Sequence, residues 1–447
     1  MSSLQNLSSI AAKVTRRLLP FLLLMYVLAF LDRANVGFAK KAFQLDTGIS
    51  DAAFAFGASI FFIGYALLEV PSNLIMHRVG ARIWMCRIML TWGIISAAMA
   101  FAHTEQVFYI LRFLLGAAEA GFFPGVILYL TYWFTAEQRG KATGLFYFGA
   151  PLAFILGSPL SGLLLEMDGF AGFTGWQWMF LVEGVLASIV GVWAYFYLDN
   201  RPIDAKWLSK DEKATLQAAI DGEESHKHNH GPKNILGALR NTKVLYLCLI
   251  YFLIQMSVYG VVFYLPTQVA TLLGVKVGLK VGLVTAIPWI CALIAAYTIP
   301  RFSDRTGERR ITAAVTLAMG GLGIAASVST GSPLLALIAL SFAAAGFIAV
   351  QPLFWTFPTS YLAGAAAAGG IALINSLGNV GGFVAPNVKT WAEKFFESGS
   401  AGLYILAITT LLGSVLILGL KSMGLRGQVR AEDTNGTAKG IQAYETR

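Results

Sequence analysis

Four charged residues interrupt long apolar stretches in the first third of the chain. Asp32 and Arg33 follow one another in "MYVLAFLDRANVGFA", and Arg112 and Glu119 lie in "YILRFLLGAAEAGFFPG". A carboxylate near a cationic group can switch between its ionised and neutral forms as that partner moves. A guanidinium presents a planar fork of donors that fits the carboxylate of a ligand. These residue types therefore suit chemistry with protons and anions.

The spacing of Arg112 and Glu119 places both on one helical face. They are seven residues apart, which is about two turns, or roughly 10 Å, along an α-helix. The sequence alone also allows a purely structural network, in which Asp32 pairs with Arg112, or Glu119 with Arg33, and holds the first and fourth helices together. Which pairs form depends on helix packing.

The composition shows which elements must position these charges. Of the 447 residues, 56% are hydrophobic and 13% are charged, against about 25% charged in soluble domains. We predict an all-α membrane protein with twelve transmembrane helices in two six-helix, pseudo-symmetric bundles. The spans lie near residues 17–38, 53–75, 83–102, 106–130, 141–165, 176–198, 243–266, 281–300, 311–330, 333–353, 360–386 and 402–421. The first apolar stretch is longer than a signal-peptide core and reads as a retained helix.

The charged segments divide the chain into four parts. We predict an N-terminal bundle over 1–198, a cytoplasmic linker over 199–242, a C-terminal bundle over 243–422 and a cytoplasmic tail over 423–447. In the linker, Ser209 and Glu212 have the spacing of a capping box, which predicts a short surface helix. A weak repeat supports two halves, because "NLIMHRVGARIWMCR" and "PRFSDRTGERR" each join consecutive spans at the same place in their half.

The basic residues predict the orientation. If the amino terminus is cytoplasmic, that side collects 25 of the 33 Lys and Arg residues and the opposite side collects 6. Retained positive charge marks the cytoplasmic side of membrane proteins. We therefore predict a multi-pass protein of the inner (plasma) membrane with both termini inside. This topogenic charge also explains the net charge of +9 without a nucleic-acid partner.

The second of these loops carries a family motif. "SDRTGERR" (Ser303 to Arg310) resembles the loop motif of the major facilitator superfamily. The resemblance implies a gate, in which Gly307 makes the turn, Asp304 faces helix-end amides, and arginines such as Arg305, Arg309 and the first-half Arg78 pair across it. The first-half copy departs from the motif, since His77 stands where the aspartate is expected.

Motifs along the whole chain resemble one branch of that superfamily. "YVLAFLDRANVGFA", "FFIGYALLEVPSNL", "RFLLGAAEAGFFPG", "GWQWMF" and "NSLGNVGGF" are similar, in order, to the anion:cation symporter family. Its bacterial members import sugar acids such as galactonate, tartrate and rhamnonate, and some aromatic acids. The resemblance implies that Asp32 and Glu119 are protonation sites, that Arg33 meets the substrate carboxylate, and that Arg112 is tied to the coupling glutamate.

A polar stripe follows the second helix. Tyr65, Glu69 and Asn73 recur every four residues and share one face. Tyr65 matches the family position whose hydroxyl is implied to contact the anion. Glu69, one turn nearer the cytoplasm, is predicted to belong to the inner gate.

The second half has no charge in its seventh, tenth or eleventh helices, so its share of a site must be polar or aromatic. The candidates for substrate contact are Gln255, Tyr259, Trp355, Thr356 and Asn375. For Asn375 the family match adds a contact with a substrate hydroxyl or carboxylate. Such donors suit a hydroxylated acid, whereas an aromatic acid would stack on Phe30, Tyr65 or Trp355.

Other chemistries find little support in the sequence. There is no phosphate-loop motif and no nucleophile or zinc-protease motif, so we predict neither enzyme activity nor a cofactor. His226, His228 and His230 lie in a charged loop and read as solvated residues rather than metal ligands. The resemblance implies a monomer whose partners are a small organic anion, the proton and the lipid bilayer.

These observations predict proton-coupled import of a small organic anion by alternating access. The overall motif match favours a sugar acid of the rhamnonate, tartrate or galactonate type. An aromatic or pyridine carboxylate such as 4-hydroxyphenylacetate is the alternative, followed by a drug-type antiporter. The drug-type reading predicts a cavity dominated by carboxylates, whereas Arg33 and Arg112 favour an anion.

Overall fold

The fold is helical throughout the part of the chain that the structure describes. The computed structural model describes residues 3–227, 241–362 and 365–422, which contain helices and no strand. The α-helices of these ranges are α1 Ser3–Thr47, α2 Asp51–Val79, α3 Ala81–Ala98, α4 Glu105–Glu119, α5 Phe122–Trp133, α6 Ala136–Phe146, α7 Gly149–Leu165, α8 Gly175–Tyr197, α9 Lys210–Lys227, α10 Thr242–Val262, α11 Leu265–Leu273, α12 Leu279–Thr306, α13 Arg309–Ser329, α14 Pro333–Tyr361, α15 Ala365–Phe395 and α16 Ala401–Gly419.

The long helices correspond to the predicted spans. Within the described ranges, eleven helical segments are long and apolar enough to cross a membrane, with α4 and α5 forming one crossing and α6 and α7 most of another. The helix α15 occupies the place of the eleventh predicted span. The prediction of an all-helical membrane fold is confirmed, although α1 begins at Ser3 and so includes polar residues that the hydropathy placed before the first span.

The helices pack as two groups. In the first, α3 packs on α8, α2 on α4 and α1 on α7; in the second, α10 packs on α15 and α13 on both α14 and α16. We call α1–α8 the first half and α10–α16 the second half. The halves meet where α2 contacts α15 and where α7 contacts α12. We call the face where α1 begins the amino-terminal side, and the other face the opposite side.

On the opposite side the two halves touch backbone to backbone. A methyl group placed on Gly162 of α7 would lie 2.5 Å from the carbonyl oxygen of Gly278. One placed on Gly37 of α1 would lie 2.8 Å from that of Phe263. Both separations are too short for a real side-chain carbon. The halves are therefore closed against each other on the opposite side, and glycine is required for that closure.

The two repeated loops have the same turn chemistry. Gly80 ends α2 with φ +95° and Gly307 ends α12 with φ +73°. Residues with a side chain rarely adopt such angles, so glycine allows each helix to stop within one residue. In the first half, the Asn200 side chain accepts a hydrogen bond from the Arg82 backbone at 3.0 Å and stabilises the turn.

The linker begins with the predicted surface helix. The Ser209 hydroxyl accepts from the Glu212 backbone at 3.2 Å, and the Glu212 side chain accepts from the Ser209 backbone at 2.8 Å. The predicted capping box at the start of α9 is therefore confirmed. Lys13 of α1 also binds Glu212 at 2.8 Å, and this contact lowers the pKa of that carboxyl. The tail 423–447 and the linker residues 228–240 lie outside the described residues.

Candidate functional site

A small cavity of about 40 Å³ lies between the two halves, midway along the helices. Its lining includes the predicted residues Arg33, Tyr65, Glu119, Gln255, Tyr259 and Asn375. Six residues of its lining also line a larger cavity of about 410 Å³, which extends to Lys141 and Arg301 on the amino-terminal side of the protein. The central cavity is thus continuous with space on the amino-terminal side, while the opposite side is closed.

Arg33 joins the two halves at the wall of the central cavity. Its Nε and Nη2 atoms donate to Oε1 of Glu119 at 2.9 and 2.5 Å. Its Nη1 atom donates to the hydroxyl of Tyr259 in the second half at 2.8 Å. The rings of Phe30 and Tyr65 lie 5.0 Å from the guanidinium carbon, within the range of cation–π attraction. Of the two pairings left open for Glu119 and Asp32, the structure forms the one between Glu119 and Arg33.

A break in the fourth crossing sets the position of Glu119. The sequence predicts one continuous span over 106–130, but α4 ends at Glu119 and α5 begins at Phe122. Gly121 at the break has φ +85°, and a methyl group on it would collide with the Ser72 hydroxyl. Only glycine satisfies both conditions. The Oε2 atom of Glu119 is buried without a hydrogen-bond partner, so half of this carboxylate is unsatisfied.

Asp32 lies in a separate buried cluster on the other side of α1. It accepts hydrogen bonds from Asn35 Nδ2 at 3.0 Å, from Trp92 Nε1 at 2.9 Å and from the Ser96 hydroxyl. The residue itself is 3% exposed. None of these three donors carries a charge, so hydrogen bonds rather than an ion pair stabilise the carboxylate.

Arg112 is buried beside these carboxylates without bonding to either. Its Nη2 atom donates to the carbonyl oxygen of Ala58 at 2.8 Å, and its Nε and Nη1 atoms have no partner. The family resemblance implies a tie to the coupling glutamate, but in this conformation Glu119 binds Arg33 instead. Two nitrogen atoms of Arg112 therefore have no acceptor, which is unusual for a guanidinium that is 1% exposed.

Glu69 and Asn375, predicted separately for the gate and for the substrate, are bonded to each other. Asn375 Nδ2 donates to Glu69 Oε1 at 2.5 Å, and the Ser376 hydroxyl donates to Glu69 Oε2 at 2.6 Å. These bonds join α2 to α15 on the amino-terminal half of the membrane. Nearer the opposite side, Asn387 of α15 donates to the Ser59 hydroxyl of α2 at 2.8 Å.

Of the remaining candidates in the second half, Gln255 lines the central cavity, whereas Trp355 and Thr356 do not. Gln255 donates to Asn379 at 3.0 Å, and both line the central cavity. Trp355 instead packs on the Tyr251 ring at 4.9 Å, and the Thr356 hydroxyl bonds to the Leu353 carbonyl of its own helix at 2.7 Å. Neither Trp355 nor Thr356 is among the residues that line the two cavities.

The predicted gate residues of the two repeated loops lie at the surface of the amino-terminal side. Asp304 accepts a hydrogen bond from Arg309 at 2.8 Å across the turn at Gly307, so this pair is within the loop rather than across the halves. Arg305 and Arg78 are exposed. In this conformation the motif stiffens the α12–α13 turn.

Four residues that the sequence patterns did not single out complete the Asp32 cluster. Asn35, Trp92 and Ser96 bind Asp32, and Glu183 of α8 accepts from Asn35 Nδ2 at 2.9 Å and from the Ser161 hydroxyl at 2.8 Å. One signal for Glu183 was present, since it is the only charged residue between 175 and 197 and is therefore an intramembrane carboxylate. Gly93 and Gly184 explain how it reaches the cluster, because they let α3 and α8 pack backbone to backbone.

Metal binding has no support in the described part of the chain. No group of three or more His, Cys, Asp or Glu side chains there is arranged to hold an ion. The side chains of His226, His228 and His230 lie outside the described residues.

Comparison with known families decides the class of protein. A model of the Major Facilitator Superfamily matches residues 22–386. The chain belongs to this superfamily. Its members are membrane transporters, so the predictions of a transporter rather than an enzyme, and of the superfamily itself, are confirmed.

Close relatives cover nearly the whole chain. The inner membrane transport protein RhmT of Escherichia coli (strain K12) is 53% identical over 415 residues, covering 93% of this chain and 96% of that protein. A putative tartrate transporter of Agrobacterium vitis is 45% identical over 408 residues, covering 91% and 90%. A quinolone resistance transporter of Acinetobacter baumannii is 41% identical over 403 residues, covering 90% and 93%.

A solved structure confirms the fold. A bacterial homologue of the human lysosomal transporter Spinster, in an inward-facing and occupied conformation, matches with a TM-score of 0.72 at 15% identity. The match covers 92% of this chain and 98% of that chain. The arrangement is therefore the major facilitator fold of two six-helix bundles.

Proposed function

We propose that this transporter imports a small organic anion together with protons, by alternating access, and that its substrate is a sugar acid. The observation that carries the proposal is the state of Arg33. At the wall of the central cavity its guanidinium is bound by the protein's own carboxylate, Glu119, and by Tyr259. A substrate carboxylate needs the same donors.

Competition for Arg33 explains the coupling. While Glu119 is ionised, its carboxylate occupies two of the nitrogens of the guanidinium. A proton on Glu119 weakens this pair and frees those nitrogens for the anion. The two nitrogen atoms of Arg112 that lack a partner can donate hydrogen bonds to Glu119 when it leaves Arg33. Proton and anion therefore bind together, and loss of the proton favours return of Glu119 to Arg33 and release of the anion.

Asp32 supplies a second protonation site, away from the anion. Its partners are neutral donors of the protein. Asp32 can therefore gain a proton without any change at the anion site. The Ser96 hydroxyl can turn and accept from the protonated carboxyl, whereas the Trp92 indole can only donate. In this proposal Asp32 takes its proton while the opposite side is open.

The contacts between the halves support alternating access. On the opposite side, Gly37 and Gly162 allow the backbones to touch. On the amino-terminal side, Glu69 binds Asn375 and Ser376, while the larger cavity remains open near Lys141 and Arg301. When the opposite side opens, the glycine contacts there must break while contacts on the amino-terminal side, such as those of Glu69, hold the halves together. When the amino-terminal side opens, the reverse must happen. In this scheme the Asn375 side chain bonds alternately to Glu69 and to the substrate.

The lining of the central cavity supports a hydroxylated substrate. Besides Arg33, four residues with amide side chains line the space: Gln255, Gln351, Asn375 and Asn379. A site built to bond hydroxyl groups rejects analogues that lack them, because its own polar groups are then left unpaired. The putative tartrate transporter among the relatives agrees with this class.

An aromatic carboxylate is the competing substrate. Tyr26, Phe30, Phe122, Phe123 and Tyr147 line the same cavity and offer rings for stacking. A quinolone, the compound class in the name of one relative, is itself an aromatic carboxylate. Arg33 would hold either class of acid, so the amides and rings decide between them.

The proposal also includes the orientation of the protein in the membrane, the membrane itself and the two moving units. The count of basic residues supports a cytoplasmic position for the amino-terminal side, with both termini inside. The name of RhmT supports the inner membrane. We also propose that 1–198 and 243–422 are the two moving units, joined by the linker 199–242, in a protein that works as a monomer.

Uptake by the purified protein in proteoliposomes tests the proposal. Labelled galactonate, rhamnonate, tartrate, 4-hydroxyphenylacetate and a fluoroquinolone are offered with and without an imposed pH gradient, acidic outside. We expect accumulation of one sugar acid that requires the gradient and is blocked by a protonophore. Accumulation of only an aromatic acid would establish the competing substrate. Uptake that ignores the gradient, or no uptake of any acid, would contradict proton-coupled import.

A further inference from the structure

Glu183 is a buried carboxylate to which the mechanism above assigns no role. It is 2% exposed and lies on α8, in the middle of the first half. Its partners are the side chains of Asn35 on α1 and Ser161 on α7. A carboxylate in a membrane interior is costly unless it is paired or protonated, and the partners of Glu183 carry no charge.

The charges on the elements around Glu183 leave it without a counter-ion. Glu183 is the only charged residue of α8, and α7 has none. On α3 the charged side chains are Arg82 and Arg87, at the amino-terminal end. On α1, Arg33 is bound to Glu119, and Asp46 accepts from Trp176 at 2.9 Å. Arg112 of α4 is buried near Asp32 but bonds to neither carboxylate. Among the described residues, the ionisable group that faces Glu183 is Asp32, which is another carboxylate.

One amide group joins these two carboxylates. Asn35 Nδ2 donates to Asp32 at 3.0 Å and to Glu183 at 2.9 Å, so the two acceptor oxygens are less than 6 Å apart. Two negative charges at such a distance in a low-dielectric interior repel strongly, and this repulsion favours a proton on one of the two groups. Asn35 can serve both groups because its amide nitrogen has two hydrogens.

The hydroxyl partners let the proton rest on either group. Ser161 donates to Glu183 and Ser96 donates to Asp32. A serine hydroxyl can reverse its hydrogen bond and accept from a protonated carboxyl, whereas the Asn35 amide nitrogen can only donate. Each carboxyl thus has one fixed donor from Asn35 and one reversible serine. At either end, therefore, a serine hydroxyl is present to accept a hydrogen bond from the protonated carboxyl.

We propose that Asp32 and Glu183 form one proton-binding site, in which Glu183 holds the proton while Asp32 is ionised and returns it to Asp32 during the transport cycle. This role rests on the proposed proton coupling, but the bound proton itself does not. The site is separate from Arg33 and Glu119, which handle the anion. Glu183 acts through Asp32 and has no contact with the substrate.

The first experiment detects the proton without transport. Infrared difference spectra of the purified protein in lipid, recorded as the pH is changed, report the C=O band of protonated carboxyl groups. We expect a band that disappears in Glu183→Gln and shifts in Glu183→Asp, and that changes its pH dependence in Asp32→Asn. The matched control Glu397→Gln alters an exposed carboxyl and should leave the band intact. A spectrum unchanged by Glu183→Gln would overturn the proposal.

The second experiment separates proton handling from a structural role. For Glu183→Gln we expect accumulation driven by the pH gradient to fall about tenfold or more, while counterflow stays within about threefold of the unmodified protein. Glu183→Asp should restore part of the accumulation. Equal loss in both assays, with no rescue by Asp, would mean that Glu183 is structural. If the unmodified protein shows no gradient-driven uptake, the proposed function fails, and the infrared result still decides whether Glu183 holds a proton.

Discussion

Arg33 on α1 and Glu119 at the end of α4 form a buried ion pair in which two guanidinium nitrogens share one carboxylate oxygen, with the shorter contact at 2.5 Å. The second oxygen of Glu119 has no partner. A buried pair of this kind gains less than a fully bonded one, because the desolvation of each charge is only partly offset. The pair is therefore suited to being opened by a proton and an anion.

Removal of the charge on Glu119 should separate binding from accumulation. In Glu119→Gln the side chain no longer competes as an anion for Arg33, so we expect the substrate Kd at neutral pH to fall about fivefold, or about 1 kcal/mol. Gradient-driven accumulation should be lost, while counterflow is partly kept. Binding is measured by calorimetry and transport in proteoliposomes. Normal accumulation in this variant would show that Glu119 is not a coupling group.

Asp32→Asn should affect coupling without affecting the anion site. The variant fixes a neutral side chain where three neutral donors now meet. We expect substrate affinity within about twofold of the unmodified protein and accumulation reduced about tenfold or more. Equilibrium binding and gradient-driven uptake are compared on the same preparation. A large loss of affinity would instead place Asp32 in the anion site.

Arg33→Lys tests the geometry of the anion contact. Lysine keeps the charge but lacks the planar fork that bonds two oxygens at once. We expect Kd to rise about tenfold or more, since one charge-assisted hydrogen bond contributes about 1.5–3 kcal/mol. Arg201→Lys, at an exposed position, is the matched control. Unchanged affinity in Arg33→Lys would remove this residue from the site.

Two contacts between α2 and α15 should control the two sides in opposite directions. Glu69→Ala removes the bonds to Asn375 and Ser376 and should widen the amino-terminal side. Asn387→Ala removes a bond to Ser59 near the opposite side and should have the smaller, reverse effect. Spin labels at Val79 and Thr359, with the native cysteines replaced, report the separation of the halves. If the distance distribution of Glu69→Ala is the same as that of Asn387→Ala, the assignment of Glu69 to the inner gate is wrong.

The close approach at Gly162 should be essential for closure of the opposite side. In Gly162→Val the added side chain meets the Gly278 carbonyl, which lies 2.5 Å from the position of a methyl group. We expect uptake to fall about a hundredfold with folding retained, because the open form has room for the side chain. Gly399→Ala is the control, since nothing lies within 4 Å of a methyl group there. Normal uptake by Gly162→Val would show that the halves do not need this contact.

The class of protein and many of the charged candidates followed from the sequence. Apolar runs of membrane length specify helices, because every backbone group must be bonded within the segment in lipid. Asp32, Arg33, Arg112 and Glu119 stand out for the same reason, since a charge in an apolar run is costly. The capping box at Ser209 and the turn at Gly307 were also predictable, because local backbone geometry determines both.

The partners of those charges were not predictable, because they come from distant helices. Arg33 and Glu119 are 86 residues apart, and Asn375 meets Glu69 across 306 residues. The break after Glu119 depends on how Gly121 fits against Ser72. Glu183 carries the signal of a charge in an apolar run, but its link to Asp32 was not predictable, because it runs through the neutral side chain of Asn35. The sequence determined which groups must be buried, whereas helix packing decided which of them are bonded to one another.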